Sequence, residues 1–577
     1  MRYLALAADY DGTLATDGRV DQATVTALER FLASGRKLVL VTGRELNELL
    51  SIFPEITLFE RVVAENGALL YRPATKEEKL LGMPPSEDFV KELVARGVRP
   101  VSVGRSIVAT WQPHETVVLD VIRDLGLELQ VIFNKGAVMV LSAGVNKASG
   151  LMAALDELAL SPHNVAAIGD AENDHALLQL CEFAVAVSNA VPTLKDRADF
   201  VTQKDHGAGV VELVEKILTD DLRKLDRGVT RHQILLGTRE DGTDVSLSPC
   251  GENLLVAGSS GSGKSTLATG ILERLSEHGY QFCIIDPEGD YEAFEGAITV
   301  GNNQAAPSMA EILQVLEKPQ ANIVVNLVGL PLKDRPEFFG GLLPRLQELR
   351  ARTGRPHWLV VDEAHHLLPS EWNPASMTLS REMTGLVLIT VHPDQMARSI
   401  LSTVDLVVAL GTNPDATLRL FSKAIGVTAP STEFTEVKSG EALMWSKVQL
   451  KPPFKLLIAP SRMERRRHRR KYAEGELPPE RSFYFRGPAQ SLNLRAQNLI
   501  LFMQIADGVD DATWMHHLRR GDYSRWFREG IKDEALAEEA FRIERAADLS
   551  PADSRASMRA AIEQHYTLPA DGAESAG

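Results

Sequence analysis

Cysteine is scarce in this chain. Three residues in 577, Cys181, Cys250 and Cys283, lie far apart and without metal-ligand spacing, which argues against a disulfide framework. No apolar run approaches the ~20 residues that a bilayer-spanning helix needs, so a multi-span membrane protein is excluded and no membrane partner is expected. The first residues, MRYLALAADYDGTLA, meet an acid by Asp9 and lack the basic-then-apolar layout of a secretory signal, and the expected location is the cytoplasm. Internal repeats and long low-complexity stretches are absent. So is an excess of positive charge: the formal net charge is −16. Residues 1–220 hold 21 basic against 31 acidic side chains, residues 221–460 hold 22 against 28, and residues 461–577 hold 19 against 19. Affinity for a phosphate backbone needs clustered cations, so the chain as a whole does not coat nucleic acid, although a local basic surface or a ring-lining loop stays open. What is present is ordinary: 44% hydrophobic and 24% charged residues, enough for about three to five domains with cores of their own.

The first third alternates short β-rich runs with helical ones, LALAADYD, VDQATVTALERFLASG and KLVLVTGR. This is the rhythm of a βαβ unit with a parallel sheet. It resumes at VNKASGLMAALDELAL, NVAAIGDAEND and FAVAVSN. Between them, residues 73–144 carry strands of their own and read as an inserted domain, which leaves 1–72 and 145–218 as the enclosing core. A polar linker at 219–231 precedes a hairpin signal at Asp241-Gly242. A second α/β pattern then covers 232–452, with strands NLLVAG, QFCIIDP, NIVVNL, HWLVVDE, LVLITVH and LVVALG. Residues 453–481 shift to Pro, Arg and Glu and read as a basic linker, and 482–567 as a helical module.

The first strand ends in Asp9-Tyr10-Asp11-Gly12-Thr13. Two carboxylates two apart at a strand end can face one site: Asp9 can attack phosphorus to give an aspartyl-phosphate, and Asp11 can protonate the leaving oxygen and later activate water. On its own this is also readable as a surface turn or a calcium loop. Three further motifs decide against that. Val41-Thr42-Gly43-Arg44 can hold phosphate oxygens, Lys147 can neutralise the phosphoryl charge, and Asp170 to Asp174 supply further oxygen ligands for Mg2+. The set resembles the haloacid dehalogenase (HAD) phosphatases of the Cof-like branch, with a large cap between the second and third motifs. Glu65-Asn66-Gly67-Ala68 is a further signature of that branch. The resemblance implies Asp9 as nucleophile and metal ligand, Asp11 as acid/base and metal ligand, Thr42 and Lys147 on phosphate, Asp170 and Asp174 on Mg2+, and Asn173 as an orienting residue. The cap would choose the substrate. Arg105, Trp111, His114 and Lys135 are cap residues within its scope, read as structural or solvated in preference to substrate contacts.

Gly258-Ser259-Ser260-Gly261-Ser262-Gly263-Lys264-Ser265-Thr266 follows a strand and opens a helix, the context a phosphate-binding P-loop requires. Backbone N–H groups of Gly258, Gly261, Gly263 and Thr266 cradle phosphates, Lys264 reaches the outer ones and Ser265 ligates Mg2+. A later apolar strand ends in Asp362-Glu363. Adjacent acids at a buried strand end are costly unless paired or metal-bound, which points to Asp362 on the Mg2+ water shell and Glu363 polarising the attacking water. Together with Asp286-Pro287-Glu288-Gly289-Asp290-Tyr291 and Thr390-Val391-His392-Pro393-Asp394-Gln395, the pattern resembles the HerA/FtsK clade of ring-forming ATPases. That resemblance implies ATP as substrate, a homo-oligomer of hexameric type, and Gln395, Thr390 and His392 near the γ-phosphate, although Thr390 also reads as a strand-end cap. Arg352, Arg355, Arg381, Arg398 and Arg419 are all open as arginine fingers in trans. The clade's N-terminal β-barrel has no room here, where a single hairpin precedes the P-loop. The fold class expected is therefore α/β: a Rossmann-like HAD core with an α+β cap, a RecA-like P-loop ATPase domain and a helical C-terminal domain.

Ser461 to Tyr472 reads SRMERRRHRRKY. Arg465, Arg466, Arg467, Arg469 and Arg470 read equally as a phosphate-backbone contact and as a solvated or clamping surface. In the last module Trp514, Tyr523, Trp526 and Phe527 suit a core in preference to a base-stacking platform. His516 and His517 have no spacing partner and read as non-ligands. The functional expectation is a bifunctional Mg2+-dependent phosphohydrolase and ATP-driven motor that acts on nucleic acid and removes terminal phosphates. The alternative is a phosphatase of small molecules gated by, or scaffolded on, the ATPase.

Overall fold

A computed structural model describes residues 1–226, 229–249, 251–370, 384–431, 436–449, 451–461, 477, 479–488, 490, 492–531, 533–546 and 549–566. Cys250, Arg381 and the arginines 465–467, 469 and 470 lie outside the described residues. The chain forms two compact units, Met1–Ala459 and Pro460–Gly577.

The first unit opens with strands β1 (Ala5–Ala8), β2 (Lys37–Val41), β3 (Arg61–Ala64), β4 (Leu69–Arg72) and β5 (Glu77–Leu80). Four more, β6 (Ser102–Val103), β7 (Val108–Trp111), β8 (Leu129–Asn134) and β9 (Ala137–Ser142), form a separate antiparallel sheet in the order β6-β7-β9-β8. The chain then returns with β10 (Val165–Gly169), β11 (Phe183–Ala186) and β12 (Phe200–Val201), which complete a sheet ordered β12-β11-β10-β1-β2-β3-β4-β5. Every residue of β1 is buried, as expected for a parallel strand covered on both faces. It pairs in parallel with β10 on one side and β2 on the other. The strand order therefore reverses at β1, and the crevice at its carboxyl end is where open α/β sheets bind ligands. Asp9 stands there. Helix α1 (Gln22–Ala33) begins at Asp21, whose side chain accepts the N–H of Thr24 at 2.7 Å, and it buries Val25, Leu28 and Phe31 at helical spacing. Helix α2 (Lys147–Leu158) is opened by a capping box between Asn146 and Ser149, which fixes Lys147 as its first residue.

The inserted sheet packs Val108, Val138 and Val140 against the helices at 87–95 and 115–124, with Phe89, Leu93, Val118 and Val121. The insert starts later than the composition suggests. Glu77–Leu80 pairs with β4 in the core sheet, because the register that buries Leu69 and Leu70 also offers β4 an outer edge.

The second sheet of this unit has the order β14-β13-β23-β22-β21-β15-β20-β19-β16-β18-β17. Its strands are β13 (Ile234–Thr238), β14 (Asp244–Leu247), β15 (Leu254–Gly258), β16 (Phe282–Asp286), β17 (Ala297–Val300), β18 (Asn322–Asn326), β19 (Trp358–Val361), β20 (Leu386–Thr390), β21 (Leu406–Leu410), β22 (Glu441–Ser446) and β23 (Phe454–Ile458). From β21 to β17 the pairs are parallel, and from β21 to β14 antiparallel. Here one expected boundary is corrected: Phe454–Ile458 is not linker but a strand between β22 and β13. The alternation PFKLLI was masked by its flanking prolines and lysines, and Leu456 is fully buried.

The two sheets meet at the starts of their strands. Glu182 and His163, which precede β11 and β10, face Tyr280 and His278, which precede β16. The Tyr280 hydroxyl donates to Glu182 Oε2 at 2.8 Å, and a His163 ring nitrogen donates to the His278 carbonyl at 2.7 Å. The His163 and Tyr280 rings stack at 3.8 Å. His357, which precedes β19, reaches Asn164 Oδ1 at 3.3 Å, and the fully buried Arg355 donates to the Ala159 carbonyl at 3.0 Å. From this junction each strand carries the chain roughly 13–17 Å outward, so the carboxyl ends of the two sheets lie on the far sides of the junction. A cavity of about 790 Å³, lined among others by Asn164, Arg350 and His357, opens at the junction and at neither carboxyl end.

The second unit has a two-stranded sheet, β24 (Phe483–Phe485) with β25 (Leu494–Ala496), ahead of its helices. Trp514, Tyr523 and Phe527 are fully buried and Trp526 nearly so. Trp514 Nε1 donates to Ser554 at 2.8 Å and Trp526 Nε1 to the Arg481 carbonyl at 2.9 Å. His517 accepts the N–H of Arg486 at 3.1 Å and bonds Asp522 at 2.9 Å, which uses both ring nitrogens.

Candidate active sites

At the carboxyl end of the first sheet, Asp9, Asp170 and Asp174 each offer a carboxylate oxygen within 4.8 Å of the others. All three are buried. Lys147, at the start of α2, donates to Asp9 Oδ1 and to Asp174 Oδ1, both at 2.6 Å. The second oxygen of Asp174 accepts the backbone N–H groups of Asp170 and Ala171 at 2.9 and 3.0 Å. Burial raises the Asp9 pKa well above the usual carboxylate range, Lys147 opposes this, and Asp174 and Asp170 add to it. Burial works against the Lys147 ammonium as well, but Asp174 and Asp9 outweigh it and the group stays charged. Gly12, at φ +80°, allows this packing: a Cβ there would lie 2.1 Å from Asp170 Oδ2.

Asp11 stands apart. Its carboxylate is held by Arg44 through two bonds, Nε to Oδ2 at 2.7 Å and Nη2 to Oδ1 at 2.6 Å. The Asp11 carboxylate, expected on the metal, is not brought into the cluster of Asp9, Asp170 and Asp174 and is turned to Arg44 instead. Thr42 is fully buried at the end of β2, and its hydroxyl accepts the Arg44 N–H at 3.1 Å. Asn173 donates to Asn66 at 2.9 Å. Glu65, at φ +51° and fully buried, sends its carboxylate from the core to the insert, where it accepts the N–H groups of Arg105 at 3.0 Å and Ser106 at 2.7 Å. The Glu65-Asn66-Gly67 turn is thus a clasp between core and insert.

The four insert residues divide. Arg105 pairs with Glu78, Trp111 is 54% exposed, and His114 bonds the Arg99 carbonyl at 3.2 Å. Lys135 departs from the structural or solvated reading given to it: its ammonium bonds Asp170 inside the site. Spacing could not reveal this, because a lysine at a hairpin tip looks solvated until the hairpin is docked. Arg44 was visible in its motif without a role.

At the carboxyl end of the second sheet, Gly258 and Gly263 have steric reasons to be glycine. A Cβ at Gly258 would meet the Leu410 carbonyl at 2.4 Å, and Gly263 has φ +97°. Lys264, first residue of helix α3 (Lys264–Glu277), folds back to donate to the carbonyls of Gly258 and Ser259, each at 3.0 Å. Burial lowers its pKa. Ser265 and Thr266 follow in the first turn of α3. Asp362 is 4% exposed, and burial pushes its pKa up to about 8. Glu363 has φ 41° and ψ 48°, a left-handed conformation costing of order 1–3 kcal/mol in a non-glycine residue. Its Oε2 is buried without a hydrogen bond among the described residues, and burial raises its pKa. The Thr390 hydroxyl accepts the His392 N–H at 3.0 Å and faces His365 Nδ1 at 3.2 Å, next to Glu363. Asp286 caps its own loop by accepting three N–H groups, from Gly289, Asp290 and Tyr291. Gln395 is not drawn in; its side chain is exposed and its carbonyl accepts the Ser370 N–H at 2.7 Å. Arg355 is removed as a finger, being fully buried and spent on four acceptors, three in its own domain and the Ala159 carbonyl across the junction. Arg352 and Arg419 lie exposed with Glu317 and Asp415 as partners, and Arg398 bonds the Ile425 carbonyl at 2.9 Å.

Both sets of donors suit a hard divalent cation. In the first, three buried carboxylates converge and Asp170 Oδ1 is buried without a partner among the described residues. In the second, Asp362 is buried without a cation paired to it among the described residues. No described helix is long and apolar enough to cross a membrane.

Residues 6–96 and 122–214 match the haloacid dehalogenase-like hydrolase family, and residues 235–355 match the central domain of the HerA helicase. A phosphoglycolate phosphatase of Methanothermobacter thermautotrophicus is 33% identical over 229 residues, 37% of this chain and 98% of that protein. Phosphoglycolate phosphatase 2 of Saccharolobus solfataricus is 31% identical over 228 residues, 38% of this chain and 95% of that protein. Among solved structures, a haloacid dehalogenase-like hydrolase from Bacteroides thetaiotaomicron is similar at 19% identity and a TM-score of 0.34, over 37% of this chain and 99% of that one.

Proposed function

Since the chain belongs, through its first 214 residues, to the haloacid dehalogenase-like hydrolases, we infer that its phosphatase centre hydrolyses small phosphomonoesters while its HerA-like domain hydrolyses ATP as a nucleic-acid motor. The observation that carries the phosphatase half is Lys147 bridging Asp9 and Asp174 beneath a docked cap. Asp9 attacks phosphorus, Lys147 and Thr42 steady the phosphoryl oxygens, and Asp11, oriented by Arg44, protonates the leaving oxygen and then deprotonates the water that cleaves the aspartyl-phosphate. Asp9, Asp170 and Asp174 would hold Mg2+, which when bound supplies charge neutralisation for the phosphoryl group. The Glu65 clasp and Lys135 bring the cap onto the site, which favours a small ester over the end of a polynucleotide. The relatives' names make phosphoglycolate the first substrate to test.

In the second centre Lys264 leaves the loop carbonyls for the phosphates of ATP, Ser265 and Asp362 would hold Mg2+, and Glu363 takes the proton of the attacking water. The resemblance to HerA supports a hexameric ring on nucleic acid, contacted through Arg465, Arg466, Arg467, Arg469 and Arg470. Since the two catalytic ends lie on the far sides of the junction, the two reactions run separately and no phosphoryl group passes between them. The test is paired: phosphoglycolate hydrolysis with Mg2+, and ATP turnover with and without single- and double-stranded DNA. Phosphate release from phosphoglycolate and DNA-stimulated ATP turnover by a ring are expected. Absence of the first sinks the small-ester reading, and a monomer whose ATP turnover ignores DNA sinks the motor.

A further inference from the structure

Among the described residues the phosphatase centre contains three cations, and they differ in freedom. Lys147 is 1% exposed and spent on two carboxylates. Arg44 is spent on Asp11 and Glu48. Lys135 is 48% exposed and bonds one partner by its side chain, Asp170. It sits at the tip of the β8–β9 hairpin, whose closing pair is Asn134 and Ala137. Both tip residues have positive φ, 46° at Lys135 and 90° at Gly136, the geometry of a tight primed turn. The Lys135 N–H bonds Glu172 of the core at 3.3 Å. The tip is thus pinned, while the four-carbon side chain remains able to swing. Other cap cations point elsewhere: Lys91, Arg96, Arg105 and Arg123 pair with Glu87, Glu92, Glu78 and Asp120.

Asp170 is one of the three carboxylates that suit a divalent cation; Lys135 holds its Oδ2 while Oδ1 has no partner among the described residues, so a cation bound at Oδ1 would share the carboxylate with the ammonium. Two cations sharing one carboxylate repel each other, and the one on a flexible stem gives way. Where it goes follows from the direction of attack. Asp9 approaches phosphorus from the end of β1, so the leaving oxygen and the rest of the substrate lie on the opposite side in an in-line displacement. That side is covered by the cap face bearing Lys135. Trp111 lies next to the tip, with its ring 3.9 Å from the Cβ position of Gly136.

We propose that Lys135 is the specificity residue of the phosphatase centre: it holds Asp170 in the free enzyme, yields it to the divalent cation, and then binds a second anionic group on the alcohol side of the substrate. The preferred substrates are therefore short esters carrying a carboxylate or second phosphate a few ångströms from the scissile phosphate. This rests on the small-ester reading and adds to it the residue and the charge it selects.

The experiment uses the full chain and Lys135→Gln, which keeps length and removes charge. Two substrates are compared, phosphoglycolate and ethyl phosphate, which differ in a carboxylate against a methyl group. In the wild type phosphoglycolate is expected to be preferred, and in Lys135→Gln the ratio of the two kcat/KM values falls at least tenfold, chiefly through KM for phosphoglycolate. Lys135→Arg restores part of the ratio. Separately, calorimetric titration of substrate-free protein with Mg2+ should show several-fold tighter binding to Lys135→Gln, because the competing ammonium is gone. Equal losses on both substrates, or Mg2+ binding that is unchanged or weaker, overturn the proposal. Should the wild type hydrolyse neither ester, the small-ester reading fails and the Mg2+ titration alone decides the Lys135–Asp170 exchange. Should it hydrolyse both equally well, that reading stands and the assignment of Lys135 fails.

Discussion

The two catalytic ends of this chain hold similar numbers of acids, and they differ in how those acids are paired. In the phosphatase centre every acid is already answered: Lys147 bridges Asp9 and Asp174, Lys135 holds Asp170, and Arg44 holds Asp11. In the ATPase centre Lys264 turns onto the carbonyls of its own loop, while Asp362 and Glu363 are buried with pKa values raised by that burial. The difference follows from what each centre lacks before its substrate arrives. A site that carries lysines and an arginine of its own can pair its acids before Mg2+ arrives. A site whose principal cation arrives with the nucleotide must keep its acids unpaired, or keep them protonated, until then.

The sharpest way to break this contrast is to remove the internal cation of the assembled centre. Lys147→Met leaves two buried carboxylates facing each other. Removing one partner of a buried pair costs about 3–5 kcal/mol. A comparable loss is expected in the first thermal transition, together with loss of phosphatase activity. Asp9→Asn removes the nucleophile with far less strain. It should lower phosphomonoester turnover by on the order of 10³-fold or more, while ATP turnover stays at its wild-type rate. Equal damage to both activities would show that the centres are not independent across the junction.

Glu363→Gln probes the other side. The neutral amide relieves burial of a charge, so stability should hold or rise slightly. Loss of a general base lowers turnover by about 10²–10⁴-fold. ATP affinity, read by fluorescence of a labelled nucleotide, should be retained, whereas Lys264→Ala should lose it. Normal turnover by Glu363→Gln would remove the carboxylate from catalysis.

How far sequence carries follows the same division. The P-loop and the acids at Asp9, Asp170 and Asp362 were legible because their chemistry is local: each stands at the end of an apolar run whose period announces a strand. Lys135, the Glu65 clasp and the role of Arg44 were not legible, because each depends on docking between segments that are 33 or more residues apart in the case of Arg44 with Asp11 and Lys135 with Asp170. Strand β23 was missed for a related reason. Its burial is set by β13, more than 200 residues earlier in the chain, and its own sequence looked like the edge of a linker. Arg355 reads from sequence as a candidate finger because an arginine near a strand start looks free, whereas the fold spends it on Gln281, Leu316 and Glu317 of its own domain and on Ala159 of the phosphatase core.

The smallest expected effect lies at the junction that separates the two centres. His357 is buried there with its ring set by two bonds: Nδ1 accepts the Gln281 N–H at 2.9 Å, and Nε2 donates to Asn164 Oδ1 at 3.3 Å. Both bonds fit the neutral ring. Burial holds its pKa well below 6.5, and His163, Arg355 and Arg350 push the same way against Glu182. A histidine whose folded pKa is depressed contributes stability that is present above its unfolded pKa and is lost as pH falls below it. With an unfolded value of about 6.5, one such ring should cost about 1.4 kcal/mol at pH 5.5 relative to pH 7.5 and above. Glu182 does not produce this slope. Arg2 and His163 outweigh its burial and hold its pKa below the carboxylate range, so its contribution is lost only at pH values below about 4.5. His232, also lowered by burial, adds to the slope in the same direction. The full chain should therefore lose thermal stability between pH 7.5 and 5.5. His357→Gln, whose amide can accept from Gln281 and donate to Asn164 without titrating, should start lower at pH 7.5 and fall less steeply. An equal slope in the two proteins would mean that the junction does not depend on a neutral His357.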